Sequence, residues 1–407
     1  MKLSPLLLGA ALLAFAPWLA TSPAQASPAS TCRSARAISF EIVPAPPTSA
    51  SVLSPDGRWI ALVGAPGGKP RRTQVSFLDL STRRSWSFGL PARLSSGYGS
   101  EQDFEPSLSW SRGSRACAVR SAEGWRVVYP AARRSRFVLR SLEGAAESGP
   151  AWAPRSNRLA IFEDGGEPFH IWDGKRLSRG RNWIKSTDYP YPGDVRIWQA
   201  EWSPDESSIL LRFYGHAERT SEAAGHTFVL SPRSGRALYK WGAETRPAAW
   251  IGSSRLAYLS DDDGLGGPGD LVVAQPRSHS RNAWLRDVVA WTISADRNVL
   301  WALKSNGDLL RTPSRLKSWQ VVKRLGRRAV SSYVPALTAS PRGGLLALSN
   351  PSGRGLTLIS ARAQPWAVAW AAPYGTVRVL GWAPERSLPL VELSLQDAPV
   401  RIAQLKW

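Results

Sequence analysis

Short apolar runs, each broken by a polar turn and resumed at once, fill this chain from residue 50 onward. The fullest instance is Leu53-Ser-Pro-Asp-Gly-Arg-Trp-Ile-Ala-Leu-Val-Gly64. Pro fixes φ, Asp can bond its own backbone and Gly accepts a positive φ, so Ser54-Pro-Asp-Gly57 predicts a β-turn. The following Trp-Ile-Ala-Leu-Val has no period-2 alternation and predicts a strand buried on both faces. Weaker copies of this hairpin recur seven times. With the residue before each turn as a marker, the copies fall at Leu53, Trp110, Trp152, Trp202, Trp250, Trp291, Ala339 and Trp382, spaced by 57, 42, 50, 48, 41, 48 and 43 residues.

Repeats of this length, built of strands and turns with no amphipathic helical stretch, predict an all-β fold: a β-propeller in which each repeat is one four-stranded blade. Eight markers predict eight blades, with seven as the alternative. In the first, strand a ends at Leu53, and strands b, c and d cover residues 58–63, 74–80 and 85–90. After Trp382 only 25 residues remain, enough for strands at 388–393 and 400–405 but not for a fourth. The alternating segment Ala37-Ile-Ser-Phe-Glu-Ile-Val43 belongs to no blade and is expected to supply the missing outer strand, removing an exposed edge.

Ser54-Pro-Asp-Gly57 and Trp202-Ser-Pro-Asp205, each followed by an apolar strand, resemble the WD40-like repeat of the TolB-type (PD40) propellers, a repeat also found in the propeller of prolyl-oligopeptidase-like peptidases. The resemblance runs through the repeats of residues 37–407. It lacks a TolB-like N-terminal domain, a Gly-x-Ser-x-Gly elbow, and the regular Gly-His and Trp-Asp signatures of true WD40 repeats. The resemblance therefore implies export, and binding rather than catalysis.

The ends and composition refine this. Lys2, the apolar stretch Leu3 to Ala16 and Ala24-Gln25-Ala26 read as a secretory signal peptide over residues 1–26, with cleavage after Ala26 and a linker at 27–36. No later run approaches the ~20 apolar residues of a membrane span, so a periplasmic or extracellular protein is expected. Of the two cysteines, Cys32 and Cys117 can form one disulfide in that setting, or Cys117 can pack as a buried thiol within a strand. The formal net charge is +21, with Arg far above Lys. An exported basic protein points to anionic polysaccharide, a lipid surface or an acidic envelope protein rather than nucleic acid; GC-rich coding bias is the competing explanation.

Candidate chemistry is sparse. The 20 tryptophans recur at strand ends, which favours packing between blades over a cofactor site. Leu78 to Trp86 fails the quinoprotein motif on spacing and on a missing Gly, so no cofactor is expected. His216 and His226 with Glu218 and Glu222 match no ligand spacing and read as solvated loop residues. His170 reads as hydrogen-bonded within a strand. Asp261-Asp-Asp-Gly264 departs from the alternating carboxylates of a calcium loop, so no metal is expected.

Topology says more. In an up-and-down blade the b–c and d–a connections emerge on one face, and the a–b and c–d turns on the other. The long connections (91–106, 180–199, 215–225 and 260–270) share the first face and carry the candidate ligand-binding residues Tyr98, Phe104, Trp183, Tyr189, Tyr191 and Asp194. The second face has short basic turns, with Arg83, Arg84, Arg133, Arg134, Arg136, Arg233, Arg236, Arg277 and Arg281 as candidate anion-binding residues, joined by Lys175 and Arg176. No catalytic residue is identified. The expected function is a non-enzymatic binding or assembly module of the cell envelope that recognises a protein or an anionic glycan or lipid. The alternative is an envelope hydrolase or lyase acting on an acidic polymer.

Overall fold

The computed structural model describes residues 39–43, 50–64, 72–91, 108–121, 123–140, 148–163, 168–178, 180–183, 196–216, 223–241, 248–260, 267–326, 337–349, 355–361, 367–371, 376–383, 388–394 and 401–406, all within one compact unit, Ile38–Trp407. Apolar runs bounded by turn residues become antiparallel meanders. In the first, Ala50–Leu53, Trp59–Gly64, Arg72–Asp79 and Arg84–Pro91 pair in chain order. Four-stranded meanders also begin at Leu108–Trp110, Arg196–Trp202 and Leu337–Ala339. A seven-stranded sheet from Ala248–Ile251 to Gln320–Arg324 is two meanders fused, because Ser280–Ile293 is the outer strand of one and the inner strand of the next. Among the described residues the third meander has the strands Ser148–Trp152, Leu159–Glu163 and His170–Trp172. Past them, the bridges Trp172↔Leu177 and Phe169↔Arg181 stand in for a fourth strand.

Ser39–Val43 pairs with Arg401–Lys406, from Ser39↔Lys406 to Val43↔Ile402, and so completes the sheet formed with Thr376–Ala383 and Leu388–Ser394. The alternating segment that belongs to no repeat is the one paired to this edge.

Among the described residues the second strands of the first six meanders are largely buried on both faces, as their unbroken apolar runs require; Ile60, Ala61 and Leu62 are fully buried. The cores lie between sheets rather than within them. Val63 and Phe77 of the first meander pack with Trp110, Cys117 and Val119 of the second. Phe162 and Phe169 of the third pack with Trp202 and Phe213 of the fourth. Leu380 of the last meander lies on Ile60, Leu62 and Leu78 of the first. Cys117 is a free, fully buried thiol whose pKa burial pushes up. Cys32, its candidate disulfide partner, lies outside the described residues.

The recurring tryptophans tie neighbours together. Trp110, Trp152, Trp202 and Trp250 donate Nε1–H to the carbonyls of Val52, Ser109, Ala151 and Glu201, each on the inner strand of the preceding meander, at 2.9–3.1 Å. Trp291 does not share this role. Ser294 opens its turn as Ser111 opens the second, so Ile293, not Trp291, stands where Trp110 stands. Trp291 sits two residues further from the turn, and its buried Nε1 has no partner among the described residues.

The turns themselves share a device. The hydroxyls of Ser54, Ser111, Ser203, Ser294 and Ser340 accept the N–H five residues on, at 2.8–3.0 Å. Asp56, Asp205 and Asp296 accept from those serines and from the backbone N–H two residues ahead. Three residues after each serine the backbone is left-handed: Gly57, Ser114, Glu206, Arg297 and Gly343 have φ of 56–69°. Where this residue is not glycine, its side chain or that of its neighbour's turn binds across sheets. Ser114 Oγ accepts the Asp56 N–H at 2.9 Å. Arg297 donates to Trp250 O at 2.6 Å and pairs with Glu201. Glu206 pairs with Arg158 of the preceding meander.

Candidate anion-binding cleft

The a–b and c–d turns share one face: Arg58, following the first a–b turn, pairs with Asp79 at the first c–d turn at 2.8 Å, and Arg255 Nη2 donates to Ser314 O at 3.0 Å. Arg83, Arg84, Arg133, Arg134, Arg136, Arg233, Arg236, Arg277 and Arg281 are all exposed at or beside these c–d turns. They are not equivalent. Arg136 donates to Gly174 O and Lys175 O of the next meander at 3.3 and 2.8 Å, and Arg134 lies 5.1 Å over the Tyr129 ring. Arg277 acts electrostatically on Asp205. Arg84, Arg133, Arg233, Arg236 and Arg281 have no acidic partner among the described residues.

Of the candidate ligand-binding residues, Tyr98, Phe104, Tyr189, Tyr191 and Asp194 lie outside the described residues. Trp183 does not stand exposed as a ligand platform: it is fully buried, edge-on to Phe213 at 5.1 Å. His226, expected in a solvated loop, lies in the strand Ala223–Leu230, stacked on Phe213 at 5.3 Å, and burial lowers its pKa. His170 Nδ1 is hydrogen-bonded to Ser178 O at 3.1 Å. Among the described residues no group of three or more His, Cys, Asp or Glu is placed to hold a metal ion.

Basic groups converge beside the third meander, in the described stretch that follows His170–Trp172. A cavity of about 380 Å3 opens there, lined by Arg158, Ile171, Asp173, Arg176, Leu177, Ser178, Arg181, Pro232 and Arg233. Each wall has a local cause. Asp173 Oδ1 accepts the N–H of Lys175 and Arg176 at 2.8 and 2.7 Å, which closes the tight turn presenting Arg176 and holds the Asp173 pKa below its ordinary value. Arg181 is fixed by Nε donating to Arg233 O at 2.6 Å and Nη1 donating to Ser178 Oγ at 2.9 Å. Gly235 (φ +77°) lets the turn of the fourth meander come this close, since a Cβ there would stand 3.0 Å from Arg181 Cβ.

Arg158 is the compensated member. Its Nη2 pairs with Glu206 at 2.7 Å and its guanidinium lies 4.8 Å over the Trp202 ring. Glu206 also accepts the N–H of Arg155 and Ser156 at 2.6 and 2.7 Å. Burial pushes its carboxyl pKa up, and the bonds from Arg158, Ser156 and Arg155 outweigh this and leave it below the ordinary value. Sequence reading found Arg176 and Arg233 as turn residues but missed Arg158 and Arg181. The basic segment Lys175 to Arg181 beside a weak fourth-strand pattern was the available signal.

No protein-family model matches this sequence, and no curated protein matches it. Solved structures do. The Dos1 propeller superimposes with a TM-score of 0.56 at 12% identity, over 90% of this chain and 93% of that one. This chain has a β-propeller fold. The β-propeller domain of Cps50 (Swd1) from Myceliophteria thermophila is similar at a TM-score of 0.48 and 11% identity, covering 90% of this chain and 98% of that one. A chain of the mitotic checkpoint complex has a TM-score of 0.45 at 12% identity, covering 82% and 94%. At these identities the likeness is one of fold.

Proposed function

We propose that this propeller is a non-enzymatic binding or assembly module, exported through its N-terminal segment to the cell envelope, whose turn face engages an anionic glycan or lipid partner. The long-loop face is left for a protein. The ring has eight blades of the TolB type, closed by three strands from the end of the chain and one from near its start. The Ser39–Val43 pairing and the packing of Leu380 on the first meander support that closure. One observation carries the functional reading: the turn face holds arginines without acidic partners among the described residues, and one of them, Arg233, lines a cleft together with Arg176 and Arg181. Guanidinium groups not consumed by internal ion pairs are free to form charge-assisted bonds to external oxyanions.

The test is adsorption of the full chain to vesicles with and without anionic lipid, and to an acidic polysaccharide, at rising salt. Adsorption to the anionic surfaces only, weakening as salt rises past about 0.15 M where the screening length is near 8 Å, is the expected result. Equal adsorption to neutral vesicles, or none to any surface at low salt, would refute the reading.

A further inference from the structure

The charge and shape of the cleft say more than that it is basic. Its lining carries four arginines and one aspartate, and Glu206 neutralises Arg158 from behind. Arg176, Arg181 and Arg233 against Asp173 leave a net charge of +2 facing the cavity. These three guanidinium groups come from three segments: the c–d turn of the third meander, the irregular stretch after it, and the c–d turn of the fourth. A planar carboxylate offers its lone pairs in one plane, whereas donors arriving from several directions suit a tetrahedral oxyanion. A cavity of about 380 Å3 exceeds a bare ion, and Ile171, Leu177 and Pro232 give it an apolar side.

We propose that the cleft binds the phosphate group of a phosphomonoester, with the dianion on Arg176, Arg181 and Arg233 and the organic portion against Ile171, Leu177 and Pro232. This rests on the anion-binding reading of the turn face. The same chemistry is presented by a free small phosphomonoester and by a lipid with a terminal phosphate.

The test is calorimetric titration of the full chain with glycerol 3-phosphate and with inorganic phosphate at about 0.15 M salt. One saturable site is expected, binding glycerol 3-phosphate more tightly than inorganic phosphate. Arg233→Gln removes a side chain with no ion pair among the described residues, and Arg176→Gln loses only an exposed electrostatic attraction to Asp173, so both variants should keep the wild-type circular dichroism, and each should weaken binding about tenfold. Affinity should also fall as pH drops below about 6, where a phosphomonoester takes up its second proton. Vesicles carrying phosphatidic acid, compared with phosphatidylglycerol, separate the sources: preference for phosphatidic acid lost in Arg233→Gln assigns the lipid, and no preference with intact titration assigns the soluble ester. Acetate competing as well as phosphate, no saturable binding, or unchanged affinity in both variants would overturn the proposal. Replacing Arg84, Arg133 and Arg134 with Gln should weaken vesicle adsorption and leave the titration within about twofold. Adsorption without phosphate binding would therefore remove the cleft and leave the wider reading standing.

Discussion

Glu206 tests whether the turns are cross-braced as described. Its carboxylate receives three donors, Arg155 N, Ser156 N and Arg158 Nη2, at 2.6, 2.7 and 2.7 Å, from a backbone held at φ 60°. A hydrogen bond to a charged group is worth about 1.5–3 kcal/mol, but Arg158 is 37% exposed and the Arg155 N–H is near solvent, so water recovers part of each loss. Glu206→Ala should cost about 2–3 kcal/mol by this reckoning. Glu206→Gly loses the same bonds but relieves a left-handed conformation that costs an L-residue about 1–2 kcal/mol, less what glycine gains in the unfolded chain. The glycine variant should therefore be more stable than the alanine variant by about 1 kcal/mol, while both fall below wild type. The assay is equilibrium urea unfolding, with midpoints compared only if the slope is unchanged. Alanine within about 0.5 kcal/mol of wild type would show that the carboxylate braces nothing, and glycine below alanine would refute the backbone argument. The same residue gives an opposite sign in binding. Glu206→Gln uncovers one charge at Arg158 and should tighten phosphate about threefold, the size of one charge acting across several ångströms of water.

Other consequences are as direct. Burial pushes the Asp79 pKa up, but bonds from Arg58 and Ser81 outweigh it and lower it from 3.8 to about 2. Its folded-state pKa being depressed, its stabilisation is complete above pH ~3.8 and is lost as pH falls toward ~2; Asp79→Asn should remove about 2 kcal/mol at neutral pH and flatten the acid limb of stability against pH over that window. Gly343→Ala would set a Cβ 2.6 Å from Val299 Cβ at φ +65° and should cost about 2–5 kcal/mol, whereas Gly344→Ala meets nothing within 4 Å and should be nearly neutral in the same unfolding assay. Trp202→Phe strands the Ala151 carbonyl and should cost about 1–2 kcal/mol more than Trp291→Phe, which removes a buried N–H with no partner among the described residues. Cys117, fully buried with its thiol pKa raised by burial, should react with a thiol reagent only at the rate of unfolding.

The meanders were legible because their signals are local. Ser54-Pro-Asp-Gly57 encodes its turn within four residues, and Gly57 takes φ 69° as its place requires. The strands of the first meander accordingly fall within two residues of expectation. Trp291 was misassigned for the same reason. A tryptophan before a turn looks alike at either of two rungs, and only pairing fixes the rung: Ile293↔Leu300 puts Ile293 next to the turn. The recurring serine was also hidden, because Ser-x-x-x-x-X carries no composition signal until the N–H five residues on is seen to reach its hydroxyl.

The cleft was half legible, and the missing half shows why a site differs from a turn. Arg176 and Arg233 are visible as basic turn residues, but nothing local says that they face one another. That depends on tertiary placement: after Trp172 the described residues of this meander form two isolated bridges, and Arg181 is carried to the carbonyl of Arg233, 52 positions away. Gly235 permits the approach and Glu206 withdraws Arg158 from the charge balance. Counting arginines per turn gives a uniformly basic face. What the count misses is that at the least regular meander Arg176, Arg181 and Arg233, from three segments, line one cavity. A repeat specifies packing in every blade alike, so a departure from it is where selectivity for one ligand has room to be built.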